Sequence, residues 1–202
     1  MESFKSACRL GVHGIEMDVC ITKDDKLVLN HNNVDKNTGI PINTRNLLST
    51  DLLLEDVFTE FKDDSFEFIL DIKDTRVYSN IVREIYELCL KHKCIDRCIF
   101  ASFNENHLID LRNIEKVTGS KIRKAYITAN MKEDLFSSVI DTFSLTHLIL
   151  YKFQVNQEVV NRCRSKGGVK VYIYTCNTHG LCDYMETLGC DGVISDTPGS
   201  FL

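Results

Sequence analysis

The segment GVHGIEMDVCITKDDKLVLNH, residues 11–31, decides how the rest of the chain is read. Within it HGIEMDVCIT (13–22) alternates: Ile15, Met17 and Val19 point one way, Glu16 and Asp18 the other, which is the period of a strand. Upstream, residues 2–10 read as an amphipathic helix with Phe4, Ala7 and Cys8 on one side, stopped by Gly11. Downstream, Lys23-Asp24-Asp25-Lys26 is a turn and LVLNH (27–31) a second, shorter strand.

Outward from there, strands alternate with helices. Residues 32–51 are rich in Asn, Asp, Thr and Gly and read as an inserted loop, followed by a helix at about 53–62. FEFILDIK (66–73) is a strand, and Val77, Ile81, Ile85, Leu88 and Cys89 place a helix over 77–92. Strands then follow at 97–103, 121–128, 146–151, 169–175 and 192–195, separated by helices at 105–117, 131–143, 156–166 and 178–188. Leaving aside 27–31, this is seven strands in strand–helix alternation, which implies a parallel sheet. The reading is an α/β chain of (β/α)8 TIM-barrel type with seven parallel strands, the first strand of the eight expected to precede residue 1. A doubly wound open sheet is the rival, but the Gly-rich first turn it would use for a nucleotide is absent. The 202 residues form a single domain on this reading.

Composition narrows the function class. Hydrophobic residues at 44% and charged residues at 26% suit a soluble globular chain. A net charge of −5 without blocks of one sign argues against nucleic acid and anionic membrane as partners. No run reaches the roughly 18 apolar residues of a transmembrane segment. The start lacks a basic region followed by an apolar one, so no signal peptide is expected. The nine cysteines are odd in number and irregularly spaced; Cys94 and Cys98 are four apart, with no second pair at zinc-like spacing. They read as reduced thiols in a reducing, cytoplasmic setting.

The working side chains of such barrels sit at the C-terminal ends of strands. Those ends supply Glu16, Asp18 and His31, then Asp71 and Lys73, Ser102, Tyr151 and Lys152, Tyr174 and Asn177, and Ser195 and Asp196. Glu16 and Asp18 share one face of their strand and would repel unless a counter-charge joined them. A hard divalent cation, Mg²⁺ or Ca²⁺, prefers such oxygen ligands. Asp71 and Lys73 add a third carboxylate and a cation, a set suited to a phosphate group.

These stretches resemble the glycerophosphodiester phosphodiesterase family. GVHGIEMDVCITKDDKLVLNH (11–31) resembles its signature, with a histidine thirteen positions after the aspartate of the E-x-D strand. ILDIKD (69–74) is similar to its later carboxylate-x-Lys strand, FASFN (100–104) to its Ser-Phe strand end, VYIYTCN (171–177) to its Trp-Thr-x-Asn strand end, and GCDGVISDTP (189–198) to its closing segment. The resemblance implies that Glu16, Asp18 and Asp71 hold one divalent metal and that Lys73 contacts the phosphate. It implies that His31 protonates the leaving alcohol and that Tyr174 lines the pocket for the alcohol part. The chain departs from the pattern at Asp71, where Glu is commoner, at Asn32, where Asp is common, and at Tyr174, where Trp is usual.

The implied activity is metal-dependent hydrolysis of a glycerophosphodiester or lysophospholipid to an alcohol and a phosphomonoester. The family's opening His-Arg-Gly strand would precede Met1, so impaired activity and self-association through open strand edges are expected of this stretch. The alternative is a non-catalytic descendant that keeps a metal- or phosphate-binding pocket as an interaction module. A third reading keeps the fold alone, with ordinary polar residues at the carboxylate positions.

Overall fold

The computed structural model describes residues 1–63, 65–73, 80–130 and 136–201. The chain divides into two compact units, one of residues 1–2 and 13–122, the other of residues 3–12 and 123–202.

The first unit opens on strand β1 (Gly14–Ile21) and a three-residue strand β2 (Leu27–Leu29) that returns antiparallel to it. Asp25 takes the turn between them with φ 58°. Helix α2 (Leu54–Glu60) leads to strand β3 (Glu67–Ile72), helix α3 (Ile81–Lys91) to strand β4 (Cys98–Ser102), and helix α4 (Glu105–Thr118) follows. The order across the sheet is β2-β1-β3-β4, with β1·β3 and β3·β4 parallel. Burial follows the sequence pattern: β1 alternates, with Ile15, Met17 and Val19 inside, whereas β3 and β4 are buried almost throughout, as expected of parallel strands covered on both faces. Gly14 permits the close approach of β1 to β3, because a Cβ there would stand 3.0 Å from Glu67 O. Phe58, Phe61, Phe66 and Phe68 stack behind the sheet with ring centroids 5.2–5.4 Å apart.

The loop at 32–51 is held by its own polar network and by one small apolar cluster. Arg45 donates two hydrogen bonds to the Asp51 carboxylate, at 2.6 and 2.7 Å, and lies 3.4 Å from Asp35. Asp35 Oδ1 in turn accepts from the backbone of Asn37 and Thr38. A 3₁₀ turn at Ile42–Thr44 drops Ile42 onto Cys20 and Val28.

In the second unit, helix α1 (Glu2–Arg9) ends at Gly11, whose φ of 79° suits glycine. Strands β5 (Lys124–Thr128), β6 (His147–Tyr151), β7 (Lys170–Tyr174) and β8 (Gly192–Val193) lie parallel in that order. Helices α5 (Phe136–Phe143), α6 (Gln157–Ser165) and α7 (His179–Thr187) connect them. Leu148, Leu150, Val171 and Ile173 are fully buried between the layers. His147 is buried at the start of β6; burial, then the charges of Arg123 and Lys170, push its pKa down to about 3.

All seven strands of the expected strand–helix rhythm are present. Most are shorter than the sequence suggests, β5 and β8 for identifiable reasons. β5 starts at Lys124, because Ile122 N–H is taken by Glu115 Oε1 of the preceding helix. β8 ends at Val193, where the polar side chain of Ser195 turns to Asn177. The first turn of the helix expected from Val77, and residues 131–135 of the helix expected over 131–143, lie outside the described residues. No helix among the described residues is long and apolar enough to cross a membrane.

Candidate active site

Sheet register assembles the site. Asp18 on β1 is paired directly across from Asp71 on the parallel neighbour β3. Side chains at i and i+2 of a strand share a face, so Glu16 joins them from β1. A carboxylate oxygen from each of Glu16, Asp18 and Asp71 lies within 4.8 Å of the others.

Lys73 follows β3 by one residue and continues its ladder, its N–H donating to Val19 O at 2.9 Å. That places its ammonium among the acids, 2.5 Å from Asp71 Oδ2 and 3.0 Å from Asp18 Oδ1. Phe103, just past β4, offers its ring face 5.4 Å from Lys73 Nζ. His31 is delivered by the β1–β2 hairpin: Asn30 N–H donates to Asp18 O at 3.0 Å, and His31 comes next. Its ring is exposed, with Nδ1 2.7 Å from Asn32 Oδ1, and its charge is felt by Asp71.

The electrostatics are those of an incompletely neutralised cluster. Burial pushes the Asp71 carboxyl up to about 6; Lys73 pulls against the rise, Asp18 adds to it and His31 opposes it. For Lys73, burial works against the charge, but Asp71 and Asp18 outweigh it and hold the ammonium protonated well above its ordinary range. Asp71 Oδ1 is buried and has no hydrogen-bond partner among the described residues. A buried carboxylate oxygen with no donor, beside two further carboxylates, fits a hard cation ligated by oxygen.

One residue of the site carried no sequence signal strong enough to single it out. Asn33 hydrogen-bonds through Nδ2 to Lys73 O, and its Oδ1 accepts from Cys20 Sγ at 2.9 Å. It thereby fastens the loop to both acid-bearing strands. Its left-handed φ of 57° is the conformation Asn tolerates, yet an Asn-Asn pair in a polar loop is unremarkable in sequence.

The site residues expected of the first unit, Glu16, Asp18, His31, Asp71 and Lys73, are therefore brought together. Tyr174 belongs to the second unit, at the C-terminal end of β7, where its ring lies 5.7 Å from that of Tyr151. Phe153 also packs on Tyr151, edge-on at 5.4 Å. At the ends of β7 and β8, Asn177 Oδ1 accepts from Ser195 Oγ and Asp196 N–H, both at 3.0 Å. Ser102 at the end of β4 is committed to the buried His107, 2.8 Å from its Nδ1.

The sequence profile of the Glycerophosphoryl diester phosphodiesterase family matches residues 1–67 and 53–200. The chain belongs to this family. A glycerophosphodiester phosphodiesterase of Caldanaerobacter subterraneus subsp. tengcongensis is 27% identical over 222 residues, spanning 99% of this chain and 88% of that protein. Among solved structures, the glycerophosphodiester phosphodiesterase of Thermotoga maritima superposes with a TM-score of 0.77 at 23% identity, over 96% of this chain and 86% of that one. A phosphodiesterase of Oleispira antarctica, solved in complex with the product sn-glycerol-3-phosphate, superposes with a TM-score of 0.80 at 19% identity, over 96% and 85%. These likenesses give the glycerophosphodiester phosphodiesterase member described here the α/β fold of (β/α) TIM-barrel type.

Proposed function

We propose that this chain hydrolyses a glycerophosphodiester to an alcohol and glycerol phosphate with the help of one divalent cation, Mg²⁺ or Ca²⁺. Family membership supports the reaction, as does the relative solved with sn-glycerol-3-phosphate. The observation that carries the metal is the buried Asp71 Oδ1, without a hydrogen-bond partner among the described residues, beside Glu16 and Asp18. Those three residues would hold the cation, which supplies polarisation of the phosphoryl oxygens and offsets their charge.

The chain's own groups do the rest. Lys73 keeps its proton and directs Nζ to a non-bridging phosphate oxygen, and the adjacent Phe103 ring screens that contact from water. His31 donates from Nδ1 to Asn32 Oδ1, so the proton it passes to the departing alcohol oxygen must come from Nε2 of the imidazolium. Asn32, being neutral, orients the ring without adding negative charge. Tyr174, with Tyr151, offers an aromatic wall for the alcohol part. Lysophospholipids share the phosphodiester and form the second substrate class. The free, mostly buried cysteines support a reducing, cytoplasmic setting.

The test is release of choline and glycerol phosphate from glycerophosphocholine, with added Mg²⁺ or Ca²⁺ and with a chelator. Metal-dependent turnover that is lost in both His31→Ala and Glu16→Gln supports the assignment. Binding of metal without turnover by the folded chain would sink it and leave a non-catalytic binding module.

A further inference from the structure

The first unit contains a second convergent donor set, made of thiols. Helix α3 ends in a Schellman closure: Lys93 N–H donates to Leu90 O at 3.1 Å and Cys94 N–H to Cys89 O at 3.0 Å. Lys93 takes the left-handed conformation, φ 54°, that a glycine usually supplies there. The reversal lays Cys94 back on Cys89. Arg97 N–H then donates to Cys94 O at 2.9 Å, and that turn delivers Cys98 at the start of β4. Cys89 and Cys98 Sγ are 3.6 Å apart, Cys98 and Cys94 Sγ 3.9 Å, and all three sulfurs lie within 4.8 Å of one another. All three residues are at most 1% exposed.

A small apolar contact across a Schellman turn is ordinary, and buried cysteines often serve as small hydrophobes. Three features here exceed that reading. Two sulfur separations of 3.6 and 3.9 Å bracket the roughly 3.8 Å edge of a tetrahedron built on ~2.3 Å zinc–sulfur bonds. The positive charge of Arg97 acts on both Cys94 and Cys98. Finally, His92 hydrogen-bonds through Nε2 to Glu55 Oε1 at 3.2 Å, the carboxylate–imidazole pairing that metal-ligating histidines use on their outer nitrogen.

We propose that Cys89, Cys94 and Cys98 bind one thiophilic zinc ion, a structural clamp between the end of α3 and the start of β4, with the imidazole of His92 able to turn in as a fourth ligand. On binding, the three S–H protons leave to solvent and three S–Zn bonds form, with no change of oxidation state. Zinc and three thiolates carry one net negative charge, which Arg97 offsets. With the ligands within ten residues of chain, little further ordering is required. The clamp sits at the N-terminal end of β4, whereas Asp18 and Asp71 lie toward the C-terminal ends of β1 and β3, so the two sites use different side chains and different metals.

The experiment titrates Co²⁺, as a spectroscopic stand-in for zinc, into the full chain carrying Asp71→Asn, anaerobically and with a phosphine reductant. Thiolate-to-cobalt charge-transfer absorption is expected to saturate at one equivalent and to vanish when Zn²⁺ is added. Cys94→Ser is expected to weaken cobalt binding at least tenfold. A folded chain showing no charge-transfer absorption at several equivalents overturns the proposal, and so does absorption that persists unchanged in Cys94→Ser. Should Cys94→Ser fail to fold, the titration of the chain with its thiols intact decides alone. Hydrolysis is not read in this assay, so its failure and that of the proposed activity are separate results.

Discussion

Replacing Asp71 with asparagine should stabilise the metal-free protein at neutral pH while abolishing its response to Mg²⁺ or Ca²⁺. In the fold, burial moves the Asp71 carboxyl from 3.8 to about 6, so its charged form is disfavoured there. The native state holds that proton to higher pH than the unfolded chain does. The associated stability is fully present below about 3.8 and is lost as the pH rises through about 6. The gap of about two pKa units corresponds to roughly 3 kcal/mol carried as a penalty at pH 7.5. Asparagine mimics the protonated acid, keeps Asp18 as a partner for Lys73 at 3.0 Å, and removes the penalty. In chelator at pH 7.5, Asp71→Asn should therefore melt about 6–12 °C above the parent, and the difference should shrink toward zero near pH 4. Saturating Mg²⁺ or Ca²⁺ should raise the parent, by about 2.7 kcal/mol at a hundred times its dissociation constant, and leave the variant unmoved. The assay is thermal unfolding followed by circular dichroism across that pH range. An Asp71→Asn protein that is less stable than the parent in chelator at pH 7.5, or one equally stabilised by metal, would refute the reasoning.

His31→Ala should lower kcat for glycerophosphocholine by about 10²–10⁴-fold with little change in metal affinity, as steady-state kinetics and calorimetric titration would show, since His31 is exposed and outside the carboxylate set. His147, with its pKa depressed from 6.5 to about 3, favours folding above about 6.5 and withdraws that support as the pH falls toward 3. His147→Phe should consequently flatten acid unfolding, by as much as about 4–5 kcal/mol as an upper bound, in pH-dependent urea titrations. Phe58→Ala, which removes a fully buried ring from the Phe66–Phe68 stack, should cost about 3–5 kcal/mol in the same titrations. Asn33→Ala should raise KM and lower kcat together while leaving global stability within about 1 kcal/mol, because it frees the loop that carries His31 without opening the core.

Much of this was legible in residue order. The alternation of Ile15, Met17 and Val19 against Glu16 and Asp18 set the face of β1, and FEFILDIK (66–73) was legible as a strand. The carboxylate cluster was legible because two strands each carried an acid at the same end. Its finer terms were not. That Asp18 stands across from Asp71, rather than Glu16, depends on a register that no pattern of period two can distinguish from a slip by two residues. Asn33 depends on a backbone conformation, and the thiol cluster on a Schellman turn built around a lysine rather than the expected glycine. Cys94 and Cys98 were visible as neighbours, but Cys89 looked like one more apolar residue of α3.

The pairing of Asp18 with Asp71 also links assembly to chemistry. A shift of β1 by one residue would turn its acids inward and strand Met17 outside, so hydrophobic burial rejects it without any help from the site. A shift by two would satisfy the core but set Glu16 where Asp18 belongs and leave the shorter acid out of reach. The close approach of Gly14 to Glu67 already disfavours that second arrangement, and an ion bridging the strands would add to the discrimination, so that a cation present while the chain folds would act as a proofreader of the sheet.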